Sequence, residues 1–107
     1  MVQVVDQKKL DEIVRRIVEA VEPEKIILFG SAARGDASSH SDVDLLVIKE
    51  GADHWQAATR IYRRLAGVRA AVDAVVVTPQ DVERYGDSYA LVIAPALREG
   101  KVVYAAA

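Results

Sequence analysis

Two short apolar runs joined by a loop of small residues place the strongest constraint on how this chain folds. Residues 25–29 read KIILF and end at Gly30, and residues 42–48 read DVDLLVI. An apolar run of this length that stops at a glycine is typical of a buried strand meeting a turn. The second run is apolar on both faces once past its aspartates. It therefore predicts a central strand in a sheet covered on both sides.

Helical patterns alternate with these strands. Apolar residues from Leu10 to Val21 follow helical spacing, with Asp6 as the expected N-cap and Pro23 as the end of the helix. Two further apolar runs, 73–77 and 102–104, predict a third and a fourth strand. The alternation predicts an α/β fold with about four strands.

The second half of the chain contains three more helical patterns. A helix capped near Asp53 and ended at Gly67 carries Trp55 and Tyr62 at helical spacing, which we interpret as core positions. Thr78-Pro79 opens another helix, with Asp81 completing a capping box. A last helix is expected over about 88–99, where Pro95 should kink it or shift its start.

Composition bounds the class of protein. The 107 residues fit one domain, residues 1–107, and a hydrophobic content of 51% supports an ordered core. The net charge is -2, so the chain lacks the excess of basic residues that is typical of proteins that bind long nucleic acids. The absence of cysteine excludes disulfides, thiolate zinc sites and a cysteine nucleophile. The early charges argue against a secretory signal and no run reaches membrane-spanning length, so we expect a cytoplasmic protein.

Carboxylates stand at the entrances of two predicted strands. Asp42 and Asp44 are two residues apart, so they point to the same face of their strand, and Asp73 begins the next one. Carboxylates that lie so close repel each other unless a cation is shared between them, and oxygen ligands of this kind suit Mg²⁺. If the two strands are neighbours, the three carboxylates predict a metal site suited to phosphoryl or nucleotidyl transfer.

The loop before these aspartates has the features of a phosphate site. Gly30 allows a close backbone approach, and Ser31 adds a hydroxyl donor. Arg34 fits either a phosphate or a neighbouring carboxylate, because its guanidinium pairs with both. Arg60, Arg63 and Arg64 share one helical face, for which we favour a solvated face paired with local acids over a partner-docking patch.

The motif as a whole resembles a known family. Gly30-Ser31, ten intervening residues and Asp42-Val43-Asp44 are similar to the G-S-x10-D-x-D motif of the DNA polymerase β nucleotidyltransferase superfamily. The segment LFGSAARGDASSHSDVDLLV resembles in particular the minimal nucleotidyltransferase (MNT) domains, which are typically paired with a HEPN-domain ribonuclease in toxin–antitoxin modules. The closing ALREGKVVY is also similar to the end of such domains.

The resemblance implies a nucleotidyltransferase fold, with a mixed sheet flanked by helices. It also implies that Asp42, Asp44 and Asp73 are catalytic ligands for magnesium, as two ions, and that Gly30 and Ser31 hold the β- and γ-phosphates of ATP. The implied activity is that of a protein adenylyltransferase, an antitoxin that transfers AMP to a tyrosine of its HEPN toxin partner.

Two other functions stay open at this point. The chain could be a non-catalytic antitoxin that neutralises its partner by binding, or a transferase that acts on a small molecule or RNA. The lack of a second domain and of a basic surplus disfavours the latter.

Overall fold

The computed structural model describes residues 7–30, 43–51, 53–85 and 93–106. Within these ranges the helices and strands follow one another in the order that the hydrophobic pattern predicts. No helix among them has the length and apolar character that crossing a membrane requires. The elements in chain order are α1 (Gln7–Val21), β1 (Lys25–Phe29), β2 (Val43–Ile48), α2 (His54–Arg64), β3 (Val72–Val77), α3 (Pro79–Tyr85), α4 (Ile93–Glu99) and β4 (Lys101–Ala105).

The four described strands form one mixed sheet in the order β3-β2-β1-β4. β1 lies antiparallel to both β2 and β4, whereas β2 and β3 run parallel. A parallel pair needs a long crossover connection, which α2 supplies here. The predicted fold class, a mixed sheet of four strands with helices, is therefore confirmed. The second apolar run does occupy an inner position of the sheet.

Apolar side chains cover both faces of this sheet. Successive residues of β2 point to opposite faces, so Leu45 and Val47 face α1 and α2, while Leu46 and Ile48 face α4. The first face holds the larger core, into which α1 inserts its helically spaced residues Leu10, Ile13, Ile17 and Val21. Burial on both sides explains why β2 is a nearly continuous apolar run.

Two basic side chains of α1 attach it to the end of α2. Lys9 Nζ donates to the carbonyl of Val68 at 2.6 Å, and Arg16 Nη1 donates to the carbonyls of Arg64 and Ala66 at 2.8 and 3.1 Å. Carbonyls that follow the last turn of a helix have no partner within the helix, so these bonds satisfy them and hold the two helices together.

The start of α2 matches its prediction, but its core face does not. Asp53 is the N-cap, accepting from the N–H of Gln56 at 3.0 Å. Our placement of Trp55 and Tyr62 in the core is wrong, because these side chains are 81% and 44% exposed. The helix has two apolar stripes, and the core takes the one that contains Ala57, Ile61 and Leu65. The large aromatic rings are left on the outer side.

The capping box predicted for α3 is present. The N–H of Thr78 donates to Asp81 Oδ2 at 3.0 Å, and the N–H of Asp81 donates to Thr78 Oγ1 at 3.1 Å. His54 Nε2 at the start of α2 lies 3.3 Å from the same carboxylate oxygen. The bond from the Thr78 N–H is the main cause that lowers the pKa of Asp81 below its ordinary value, against desolvation, with smaller contributions from the Thr78 hydroxyl, His54 and Arg84.

Asp81→Ala should lower the free energy of unfolding at pH 7 by about 1 kcal/mol, because it removes half of the capping box. The pKa of Asp81 is lowered in the folded state, so its stabilising contribution is present above the ordinary carboxyl pKa and is lost as the pH falls through the folded value. The free energies of unfolding of the wild type and the variant, measured with urea, should therefore differ more at pH 7 than at pH 3. An equal difference at both pH values would contradict this assignment.

The described part of the last helix starts at Ile93. Its predicted start near residue 88 lies outside the described residues, as does Asp6, the expected N-cap of α1. Pro95 lies in the first turn of the described part of α4. The helix ends at Glu99, and Gly100 packs so closely on β1 that a Cβ there would meet the side chain of Ile27.

Candidate active site

Two aspartates lie side by side at one end of the sheet. Asp44 is the second residue of β2 and Asp73 the second residue of β3, and the parallel register pairs them directly. Neighbouring strands are about 4.8 Å apart, and paired residues of parallel strands point to the same face. The strand of Asp73 therefore lies beside the strand of Asp44, which is the condition under which the sequence predicts a shared site.

These two carboxylates lie at the border between solvent and the smaller core, which is on the α4 face of the sheet. Asp44 shares its face of β2 with the buried Leu46 and Ile48, and Asp73 shares its face of β3 with Val75 and Val77. Asp44 is half-buried and Asp73 is exposed. The site thus combines a nearby apolar layer, which fixes the strands, with access for a ligand from solvent.

Gly30 at the end of β1 completes this end of the sheet. β1 pairs Phe29 with Asp44, so the next residue turns away directly beside the carboxylate. Gly30 has a φ of +75°, which side-chain-bearing residues rarely adopt, and a Cβ there would overlap Asp44 Oδ2. The backbone therefore approaches Asp44 more closely than any other residue type would permit.

The donor set at this point fits a hard divalent cation. Two carboxylates on one face at strand spacing supply oxygen ligands and a local negative charge, which is the environment that Mg²⁺ binds. The space kept clear by Gly30 borders one of these carboxylates. In the part of the chain described, no three histidine, cysteine or acidic side chains form a metal-binding group. Asp42, the third ligand expected from the sequence, lies outside the described residues.

Three of the candidate residues lie outside the described residues, namely Asp42, Ser31 and Arg34. Their roles remain predictions from the sequence, as does the assignment of Gly30 to a nucleotide phosphate. The structure brings together the other three candidates, Gly30, Asp44 and Asp73, at adjacent strand ends.

The arginine face of α2 is only partly paired with acids. Arg64 Nη1 lies 3.4 Å from Glu19 Oε1, which matches the interpretation of a solvated, paired face. Among the described residues, neither Arg60 nor Arg63 has an acidic side chain within ion-pair distance. Exposed Trp55 on the same helix is the feature that sequence analysis missed, although as the sole tryptophan on an arginine-rich helix it carried a signal.

The comparison with family models identifies the family of this chain. Residues 8–107 match the family described as polymerase beta, nucleotidyltransferase. The chain belongs to the polymerase beta nucleotidyltransferase family. This family generally uses a divalent metal and a nucleoside triphosphate, which agrees with the carboxylate pair beside Gly30.

Three solved structures share the fold at low sequence identity. A candidate nucleotidyltransferase from Sulfolobus solfataricus has a TM-score of 0.64 at 22% identity, covering 92% of this chain and 78% of its own. A toxin–antitoxin structure with AMP-PNP gives 0.60 at 18% identity, covering 90% and 73%. A mutant form of the toxin–antitoxin MntA-HpeT gives 0.54 at 20% identity, covering 95% and 74%. No match was found among curated proteins.

Proposed function

We propose that this protein is a magnesium-dependent nucleotidyltransferase that moves AMP from ATP to a hydroxyl group of a protein. We further propose that the acceptor is a tyrosine of a HEPN ribonuclease toxin, for which the chain acts as antitoxin. The observation that carries the proposal is the placement of Gly30 against Asp44, with Asp73 in register beside it. The family supports nucleotidyl transfer as the reaction. The toxin–antitoxin neighbours support a toxin as the partner.

Each candidate residue has a role in this proposal. Asp42, Asp44 and Asp73 would hold Mg²⁺, which when bound neutralises the charge of a triphosphate and favours attack on phosphorus. Gly30 and Ser31 would position the phosphates by backbone and hydroxyl donors, and Arg34 would pair with a phosphate oxygen.

The reaction is a substitution at the α-phosphorus of ATP. The acceptor oxygen forms a new bond to this phosphorus as the bond to the β-phosphate oxygen breaks, so that pyrophosphate leaves. The proton of the acceptor hydroxyl passes to the Asp73 carboxylate, whose exposure allows its release to water. The apolar layer of Leu46 and Ile48 behind the carboxylates keeps the strand ends in fixed register while these exchanges occur.

The runner-up is a binding module that neutralises its partner by covering it. The exposed Trp55 and its neighbouring arginines are the observation that favours it, since solvent-exposed tryptophan is typical of interfaces. The two functions are compatible in one protein. They are distinguished by a variant that loses catalysis, because only a binding module would still neutralise its partner.

The first test follows the phosphorus atom that is transferred. The protein is incubated with Mg²⁺, a lysate of its own source, and ATP labelled on either the α- or the γ-phosphate. We expect one protein band that takes up the α-label but not the γ-label and that is lost after EDTA, because only the AMP moiety is transferred and a divalent cation is required. Mass spectrometry then identifies the modified residue.

Uptake of γ-label by a band that depends on this protein would indicate a kinase and contradict the proposal. Absence of any α-labelled protein, with binding of Mg²⁺ and ATP shown separately, would contradict transfer to protein and favour the binding module.

A further inference from the structure

The outer side of α2 carries an apolar groove that the fold leaves uncovered. The groove has a volume of about 450 Å³ and is lined by Trp55, Ala58, Thr59, Tyr62 and Arg63. Trp55 is 81% exposed, which is unusual for so large an apolar side chain. We refer to this surface as the α2 groove.

Positive charge borders the groove. Arg63 also lines a second hollow, of about 320 Å³, together with Arg60, Arg64 and Ala20. Among the described residues, an acidic partner lies within ion-pair distance of Arg64 but not of Arg60 or Arg63. An apolar groove next to arginines without acidic partners complements a surface in which an apolar side chain is flanked by carboxylates.

One ring of the groove is fixed to the edge of the sheet. Tyr62 Oη accepts a hydrogen bond from the N–H of Ala74 at 3.0 Å, and β3 is an edge strand. Ala74 directly follows Asp73 on this strand, but its side chain packs on the α2 face of the sheet, whereas Asp73 points to the opposite face. A protein seated on the α2 groove would therefore reach the carboxylates by extending around the edge of β3.

We propose that the α2 groove docks the protein acceptor, through a segment in which apolar side chains are flanked by Asp or Glu. This inference rests on the proposed transfer of AMP to a protein, since it assigns the surface that recognises the acceptor. Trp55 and Tyr62 supply the apolar contact area, and Arg60 and Arg63 pair with the flanking carboxylates.

The same observations disfavour two other occupants. Two copies of the groove packed face to face would enclose the positive charges of Arg63 from both copies in one interface without supplying a carboxylate from the groove lining. A continuous nucleic-acid backbone would need an extended basic surface, whereas the arginines here are bordered by Glu19 and, in a hollow that includes Arg60, by Glu50 and Asp53.

The test places a photoreactive benzophenone amino acid at position 59, inside the groove, in the otherwise intact protein. The matched control carries it at position 102, where Val102 is 56% exposed on the opposite edge strand. Both proteins are irradiated in a lysate of their own source, and crosslinked peptides are identified by mass spectrometry.

The same proteins are also prepared with Arg63→Glu and, as the matched control, with Lys101→Glu, an equal charge reversal on β4. Transfer from α-labelled ATP and affinity for ATP are measured in parallel.

We expect position 59, but not position 102, to crosslink to an acidic and apolar segment of the protein that becomes labelled. Arg63→Glu should lower both the crosslink and the rate of labelling at least tenfold without changing the affinity for ATP. Lys101→Glu should leave all three unchanged.

The inference is overturned if position 59 captures RNA, a second copy, nothing, or the same proteins as position 102. It is also overturned if Arg63→Glu labels the acceptor normally, a result that would leave the proposed transfer intact. Conversely, an Arg63-dependent crosslink to one acidic segment without any labelled protein would support docking and contradict the transfer.

Discussion

Asp44→Asn should abolish AMP transfer, lowering its rate by about 10³-fold or more, while the protein remains folded. The substitution preserves the shape of the side chain but removes the half-buried charge that the proposal assigns to the metal and the triphosphate, and losses of this order follow removal of one such group. Because asparagine has nearly the same size and shape as aspartate, the variant should still unfold in one cooperative thermal transition. Initial rates with α-labelled ATP and a thermal melt check both statements.

Two companion variants make this result specific. Asp73→Asn removes the partner in the same register and should also impair transfer, with a higher Mg²⁺ concentration needed for what activity remains. Glu83→Gln removes an equal charge from an exposed position on α3 and should leave the rate unchanged. Full transfer by Asp44→Asn would refute the proposed mechanism. If this variant lost transfer but still neutralised its partner at equal dose, neutralisation would be assigned to binding.

Gly30→Ala should also inactivate the protein, lowering the rate of transfer by about 10²-fold or more, because the added methyl group displaces the Asp44 carboxylate. The new Cβ would overlap Asp44 Oδ2, so the carboxylate must leave its position. The positive φ of +75° adds backbone strain, which should lower the free energy of unfolding by about 1–2 kcal/mol. The rate of transfer and the urea unfolding curve measure the two consequences separately.

Gly51→Ala is the matched control for this second variant. Gly51 has a φ of +70°, close to that of Gly30, but a Cβ there would meet nothing within 4 Å. Its backbone strain should therefore lower stability by a similar amount and leave transfer unchanged. Equal losses of activity in the two variants would show that strain, and not displacement of Asp44, explains the Gly30 result.

Much of the fold follows from local patterns in the sequence. The bounds of β1 match the run KIILF, and the caps at Asp53 and at Thr78 with Asp81 form as their spacing predicts. These features depend on residues that are close in the chain, so periodicity and capping chemistry suffice to predict them.

Local sequence patterns could not predict which face of α2 packs into the core. Trp55 and Tyr62 have the spacing of a buried stripe, as do Ala57 and Ile61. The buried stripe is the one that fits against α1 and β3, which depends on helices and strands brought together from distant parts of the chain. Because Trp55 and Tyr62 are the larger apolar side chains, hydrophobicity alone predicted that their side of α2 is buried, and this prediction is wrong.

The sequence by itself determined the order of the elements, their caps, and the motif that pairs Gly30 with the aspartates of β2. The tertiary structure alone decided that β3 lies parallel to β2 with Asp73 in register with Asp44, that Gly30 leaves room for the Asp44 carboxylate, and that Trp55 faces outward. The difference has one physical reason: local structure is set by interactions within a few residues, whereas strand register, backbone clearance and burial arise only when distant segments pack together.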